Sequence, residues 1–269
     1  MINSHSMDFY YAAIKSVDAD AYDIRQPAIC GKTAKIFFAD VCDKIKVYRF
    51  TDNFFIRRNN KISQLLALCD IPAPRVQTCC YMRTWFETYD YHPDKTMYEH
   101  NLESPLSDQE KFTIYQELMK IEYAISKISM SDIGNMPYKF YSQIYHVKYK
   151  EASTAPVAAA RSAAIYAISR MGKMHLFHND PTPGNILLSP DRHVSCLIDL
   201  DGMCVSNTYF ALIKMLQYCP DYMWSDLLRY YETISRQKLP NTMIISTMEL
   251  LRKIKKDWSH FVPMNDMSR

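Results

Sequence analysis

Between residues 92 and 105 the chain changes its hydrophobic period, and no fold that is uniformly helical or uniformly stranded accommodates such a switch. Before it, from Tyr22 to about Phe50, the segments AYDIRQPAIC, AKIFFADV and IKVYRF read as a three-strand meander with a polar turn at Cys42 to Lys44. A helix follows from Ile56 to Cys69 with Ile62, Leu65, Leu66 and Leu68 as its apolar stripe. The IPAP segment at Ile71 to Pro74 stops it, because a residue before proline is biased away from helix. RVQTCCYM and TWFETYDY then return to strand character up to about Tyr91. After the switch, Ser107 with Glu110 is a capping-box signature that opens an amphipathic stretch to about Ile128. A further helix is expected from Val157 to Met171. Two short strands, Asn185 to Leu188 and Val194 to Ile198, are joined by the turn Ser189 to Arg192, and helices occupy Tyr209 to His260. The expectation is an α+β chain of two lobes, a β-rich one over 1–91 and an α-rich one over 92–269.

Composition narrows the function classes. Lys+Arg 32 against Asp+Glu 29 gives a net charge of +3, too even for a dedicated nucleic-acid binder. The one dense basic run, Arg252, Lys253, Lys255 and Lys256, interleaves with Leu250, Leu251, Ile254 and Trp258 and reads as the wet face of a helix. No apolar run approaches the ~18 residues of a membrane span, and the first twenty residues lack a secretory pattern, so a cytoplasmic protein is expected. The eight cysteines are scattered without a CxxC pair, which points to reduced thiols rather than a zinc site.

Chemistry concentrates in HLFHNDPTPGNILLSPDRHVSCLIDLDG, residues 175–202. His178, Asp180 and Asn185 stand in the spacing HxDxxxxN, and Asp199 ends an apolar strand beyond them. Phosphoryl transfer needs this combination: the transferred group is densely anionic, so catalysis is mainly positioning and charge stabilisation by divalent cations on hard oxygen ligands. Asn185 and Asp199 offer such oxygens. Asp180 is placed to orient an acceptor hydroxyl and take its proton. His178, two residues earlier, is better suited to holding the loop by hydrogen bonding than to doing chemistry. Asp201 is open to three readings: an acid supporting the metal ligands from behind, a further metal ligand, or a plain loop residue.

This segment resembles the catalytic and metal loops of the protein-kinase-like superfamily. The PGN at Pro183 to Asn185 is particularly similar to aminoglycoside phosphotransferases, choline kinases and related small-molecule kinases. The resemblance covers most of the chain: IPAPRV at Ile71 to Val76 is similar to the proline-containing segment after the first helix of those enzymes. VYR at Val47 to Arg49 falls where the superfamily carries a phosphate-pairing basic residue on the third strand. It implies a bilobal kinase-like fold that uses ATP, or another nucleoside triphosphate, with Mg2+. Carried over, Asp180 is the base, Asn185 and Asp199 the metal ligands, and Arg49 the phosphate contact. The glycine-rich flap of that family is reduced to Gly31, Lys32 and Thr33, which can still offer backbone amides to a nucleotide. A GxxxxGK[ST] phosphate loop is a poor fit, because Gln26 stands where its first glycine belongs and AKIFF follows instead of a helix.

Two departures from the pattern matter. The family pairs its third-strand basic residue with a glutamate on the next helix, yet nothing from Ile56 to Cys69 is acidic, and Asn59 and Asn60 lie where the glutamate is expected. The basic residue is an arginine, with Lys46 as a rival. The expected function is transfer of the γ-phosphate to a hydroxyl of a small polar molecule, an amino sugar, amino alcohol or saccharide. A degenerate member that binds nucleotide or a partner without turnover is the alternative. The run IDLD is also similar to kinases of lipopolysaccharide core sugars. Possible acceptor contacts are Asp221, Trp224 and Asp226, although helical spacing with Leu227, Leu228 and Tyr231 reads Trp224 more readily as core than as a cage.

Overall fold

A computed structural model of the chain describes residues 5–27, 34–51, 53–133 and 173–258. The expected helix Val157 to Met171 lies outside the described residues. The first element, helix α1 (Met7–Val17), was not anticipated from the sequence. It is opened by Ser6, whose Oγ accepts the Phe9 N–H at 3.3 Å. Its Tyr10, Ala13 and Ile14 recur at helical spacing and are buried against an antiparallel sheet.

That sheet comprises β1 (Tyr22–Arg25), β2 (Lys35–Val41), β3 (Lys44–Phe50), β4 (Gln77–Tyr81) and β5 (Thr84–Asp90), in the order β1-β2-β3-β5-β4. Cys42 and Asp43 make the β2–β3 turn with positive φ, 46° and 63°. Strand alternation divides β3 between two faces. Tyr48 and Phe50 face α1 and pack with Phe37 and Phe86, and burying each Phe contributes on the order of 1.5–3 kcal/mol. Lys46 shares that face: its Nζ and the Tyr48 hydroxyl both donate to Asp18, at 2.7 and 2.6 Å. Val47 and Arg49 line a cavity, which Lys46 also borders.

Helix α2 (Asn53–Leu68) packs on β5 and β4. It ends where Asp70 takes φ 53° and the Ile71 N–H returns to the Leu66 carbonyl at 2.9 Å. The proline segment is then stitched back to the helix, since Ser63 Oγ donates to the Pro74 carbonyl (2.6 Å) and accepts the Val76 N–H (2.9 Å). It also reaches forward, because the Pro72 carbonyl accepts the Leu197 N–H at 2.8 Å.

Beyond β5 lie β6 (Lys95–Thr96), α3 (Met97–Glu103), α4 (Asp108–Ile125) and α5 (Met130–Ile133). The capping box is present at Ser107 and Glu110. The strands β7 (Met174–His178), β8 (Ile186–Leu188), β9 (Val194–Leu197) and β10 (Met203–Asn207) follow, then helices α6 (Thr208–Leu216), α7 (Trp224–Ser235) and α8 (Asn241–Trp258). The basic run from Arg252 falls on α8. β8 and β9 form the expected hairpin. β7 and β10 are a second, longer-range pair that the sequence reading missed, because a short apolar run does not declare its type by period. This nesting positions the site: β7 pairs with β10 and β8 with β9, so the loops 179–185 and 198–202 leave the two pairs side by side. No helix among the described residues is long and apolar enough to cross a membrane.

Candidate active site

The two adjacent loops bring Asp180, Asn185, Asp199 and Asp201 together. In the first loop the Thr182 N–H binds the Asp180 carbonyl and the Asn185 N–H binds the Thr182 carbonyl, both at 2.8 Å. Asn185 Nδ2 donates to the Asp180 carbonyl at 2.9 Å and to its carboxylate Oδ2 at 3.2 Å. The amide's donor end thus fixes Asp180, and its Oδ1 is left as an acceptor. In the second loop Asp199 adopts φ 62°, ψ 65°, a left-handed conformation that costs a non-glycine residue about 1–3 kcal/mol and must be held by its surroundings. Those surroundings include the Ile198 N–H bound to the Asn185 carbonyl (3.0 Å) and the Gly202 N–H bound to the Asp199 carbonyl (3.1 Å).

His178 is buried and donates from Nε2 to the Ile198 carbonyl at 3.0 Å, which ties the end of β7 to the residue before Asp199. Burial keeps its pKa below the ordinary value, so the ring is neutral and its proton stays on Nε2. Gly202 permits the closest approach of the loops. A Cβ there would lie 3.2 Å from Asp180 Cβ and 3.5 Å from His178 Cε1. Beneath both, Glu122 of α4 is buried and accepts the His178 backbone N–H. Burial raises its carboxyl to about 8.

Across from these loops, Arg49 on β3 is buried and bridges to them. Its Nη1 donates to Glu87 Oε2 at 2.9 Å and to Asp201 Oδ1 at 3.1 Å, and its Nη2 binds Asp201 Oδ2 and lies 4.0 Å from Asp199 Oδ1. Burial opposes the charge on Arg49, but Asp201 and Glu87 outweigh it and hold the guanidinium above its ordinary pKa. Asp199 is pushed up by burial and then by Asp201, which leaves it a carboxylate short of positive charge. Arg58 of α2 donates from Nη2 to the carbonyls of Leu200 and Asp201, at 3.0 and 2.8 Å. Asn59 donates from Nδ2 to Glu87 Oε1 (2.9 Å) and Asp201 Oδ1 (2.7 Å). Neither Arg58 nor Glu87 was singled out in the sequence. The only signal was a glutamate in the middle of the apolar strand TWFETYDY.

A cavity of about 750 Å³ lies between the sheet and the β8–β9 hairpin. Ile36, Val47, Tyr89, Leu187, Cys196 and Ile198 form apolar walls, and Arg49, Asn185 and Asp199 form a polar end. Arg75, Asp90, Asp94 and Glu99 add further charged groups to the lining, and the size is that of a small-molecule site.

The family model described as the phosphotransferase enzyme family matches residues 56–237, more than half of the chain. The chain belongs to the phosphotransferase enzyme family. Its fold is the bilobal kinase-like one, with an antiparallel sheet ahead of a mainly helical region. As a member it is a phosphotransferase enzyme of the small-molecule kinase type. Among solved structures, the GDP complex of aminoglycoside 2'-phosphotransferase-IIIa superposes with a TM-score of 0.69 at 14% identity, covering 94% of this chain and 95% of that chain. Macrolide 2'-phosphotransferase MphH from Brachybacterium faecium gives 0.65 at 13% identity, covering 91% and 89%. Aminoglycoside-3'-phosphotransferase of type VIII gives 0.61 at 13% identity, covering 90% and 97%. At these identities the likeness is one of fold. No curated protein matches the sequence of this family member.

The remaining sequence candidates fall in four places. Gly31, Lys32 and Thr33 lie outside the described residues. Lys46, the rival of Arg49, borders the same cavity, but its Nζ is engaged by Asp18 at 2.7 Å. Trp224 requires a correction: it is buried, and its indole N–H donates to the carbonyls of Leu216 and Cys219 at 3.2 Å each, so it is core and not the wall of an acceptor site. Asp221 and Asp226 are exposed. Asp221 accepts the Tyr222 N–H at 3.1 Å, and Asp226 stands 3.8 Å from Arg229.

Proposed function

We propose that this phosphotransferase moves the γ-phosphate of ATP to a hydroxyl of a small polar acceptor: an amino sugar, an amino alcohol or a saccharide. The observation that carries the reading is the convergence of Asn185 and Asp199 with Arg49 at the polar end of the cavity, with the Asp180 carboxylate 3.2 Å from Asn185. In this reading residues 1–91 form the nucleotide-binding lobe and 92–269 the catalytic and acceptor-binding lobe. The apolar walls take the base, and Arg49 meets the phosphates. A nucleotide in the cleft is supported by the GDP complex of the aminoglycoside 2'-phosphotransferase-IIIa, whose fold is shared.

Asp180 orients the acceptor hydroxyl and takes its proton as the oxygen–phosphorus bond forms and the bond to the nucleoside diphosphate breaks. Asn185 keeps the Asp180 carboxylate in place through Nδ2. The donor set suits Mg2+, which is held by one or two protein oxygens together with waters and substrate phosphates. Asn185 Oδ1 and the Asp199 carboxylate would hold it, and the proximity of Asp201 gives Asp199 a reason to gain from a cation. Bound there, the ion would neutralise the charge on the transferred phosphoryl group.

Thermal denaturation with ATP or GTP, each with and without Mg2+, tests the reading. The shift should be larger for nucleotide plus Mg2+ than for either alone, following mass action on the folded state. Nucleotide consumption is then screened against aminoglycosides, amino alcohols, nucleosides and lipopolysaccharide sugars. Absence of a shift with both nucleotides would rule the proposal out. A shift without consumption for any acceptor would instead favour the non-catalytic alternative.

A further inference from the structure

We infer that Glu87 is the positioning carboxylate for Arg49, exerted from strand β5 in place of a charge on helix α2. The inference rests on the reading of Arg49 as the phosphate contact. Arg49 and Glu87 are register partners in adjacent antiparallel strands, so the hydrogen-bonded ladder itself fixes the distance between their backbones. Both are almost fully buried, and both oxygens of Glu87 are assigned: Oε2 to Arg49 Nη1 at 2.9 Å and Oε1 to Asn59 Nδ2 at 2.9 Å.

The consequence lies in the two ends of the guanidinium. Nη1 is shared between Glu87 at 2.9 Å and Asp201 Oδ1 at 3.1 Å, so the sheet keeps a hold on it through Glu87, whereas Nη2 meets only the loop carrying Asp199 and Asp201. An arriving phosphate competes with Asp201 for Nη2. Without Glu87, displacing Asp201 would release the whole side chain; with it, one end stays pinned and the other is presented to the cavity at little cost in rotamer freedom.

Asn59 completes the arrangement. It sits on the face of α2 nearest Arg49 and donates to Glu87 and Asp201 at once. A glutamate there would face two carboxylates at hydrogen-bonding distance and repel both. The neutral Asn59 on the helix and the charged Glu87 on the strand are therefore one device. Asn60 belongs elsewhere, donating to the Val76 carbonyl at 3.0 Å.

The test is calorimetric titration of the full chain with ATP plus Mg2+ and, separately, with adenosine. The proteins compared are the parent, Glu87→Gln, Arg49→Met and the double variant. Glu87→Gln preserves shape and removes charge. It should weaken ATP binding about tenfold and adenosine binding by less than about twofold, because Arg49 meets only phosphates. The double variant should bind ATP no more weakly than Arg49→Met alone. Multiplying losses in the double variant, or equal losses for ATP and adenosine, would overturn the inference by making Glu87 a general support of the lobe. Glu87→Asp covers the case in which Glu87→Gln does not fold. It keeps the charge but shortens its reach, so a smaller ATP-specific loss is expected, absent in the Arg49→Met background; a loss persisting there overturns the inference. Arg49→Met binding ATP as tightly as the parent would also overturn it while leaving the nucleotide site standing. A parent that binds neither ATP nor GTP would overturn both.

Discussion

The two halves of the candidate site are built in opposite ways. Asp180, Asn185 and Asp199 come from one continuous stretch of sequence and are set by turns and two nested strand pairs. Arg49, Glu87 and Asn59 come from two strands and a helix, and meet only because the sheet and α2 pack as they do. The first half is short-range chemistry with a recognisable spacing. The second is a buried ion network whose members carry no shared motif. Such a network also has more at stake per residue, because a buried charge that loses its partner costs far more than an exposed one.

The sharpest attempt to break this contrast is Asp180→Asn. If the contiguous loop carries the proton chemistry, the variant keeps the nucleotide-dependent thermal shift but loses phosphoryl transfer by at least about 100-fold. Turnover equal to the parent would remove Asp180 from its role. Next comes Asp199→Asn, which should abolish most of the Mg2+-dependent part of the ATP-induced shift while leaving the metal-independent part. An unchanged response would remove Asp199 as a ligand.

Gly202→Ala probes how closely the loops must approach. The added methyl meets Asp180 Cβ at 3.2 Å, so the loops must give by a few tenths of an ångström. A full 1 Å misplacement costs about 100-fold, so a loss on the order of tenfold in turnover is expected, with nucleotide affinity nearly unchanged. A parallel fall in nucleotide affinity would show that the loops and the Arg49 network cannot be perturbed separately.

The smallest effect is expected beneath the site. Glu122 has a folded-state pKa of about 8, well above its value in an unfolded chain. The native state therefore holds the proton more tightly, and this contribution to stability is complete below pH about 4.5 and is lost as the pH rises towards 8. Glu122→Gln keeps an acceptor for the His178 N–H and removes the titration. Its melting temperature should fall less between pH 5 and 8 than the parent's, and should be the higher of the two at pH 8. Superimposable pH profiles would contradict the assignment.

The limits of sequence reading follow the same division. Turn and cap chemistry is local, and the capping box at Ser107 and Glu110, the turn at Cys42 and Asp43 and the hairpin around Ser189 to Arg192 were all readable. The β7–β10 pair was not, because its strands are separated by the hairpin and pair through burial rather than pattern. Trp224 shows the converse problem. An aromatic flanked by carboxylates can form a binding cage, though its helical spacing favours core, and its indole bonds to the Leu216 and Cys219 carbonyls decide for core.

The sequence by itself determined the family, the change from strand to helix and the spacing of Asp180, Asn185 and Asp199, because each depends on residues close in the chain. Tertiary structure alone decided that the Lys46 ammonium is taken by Asp18, that Arg49 reaches Asp201, and that its carboxylate partner stands on β5. Strand register and helix packing set those choices, and both are properties of contacts between distant segments that no local pattern encodes.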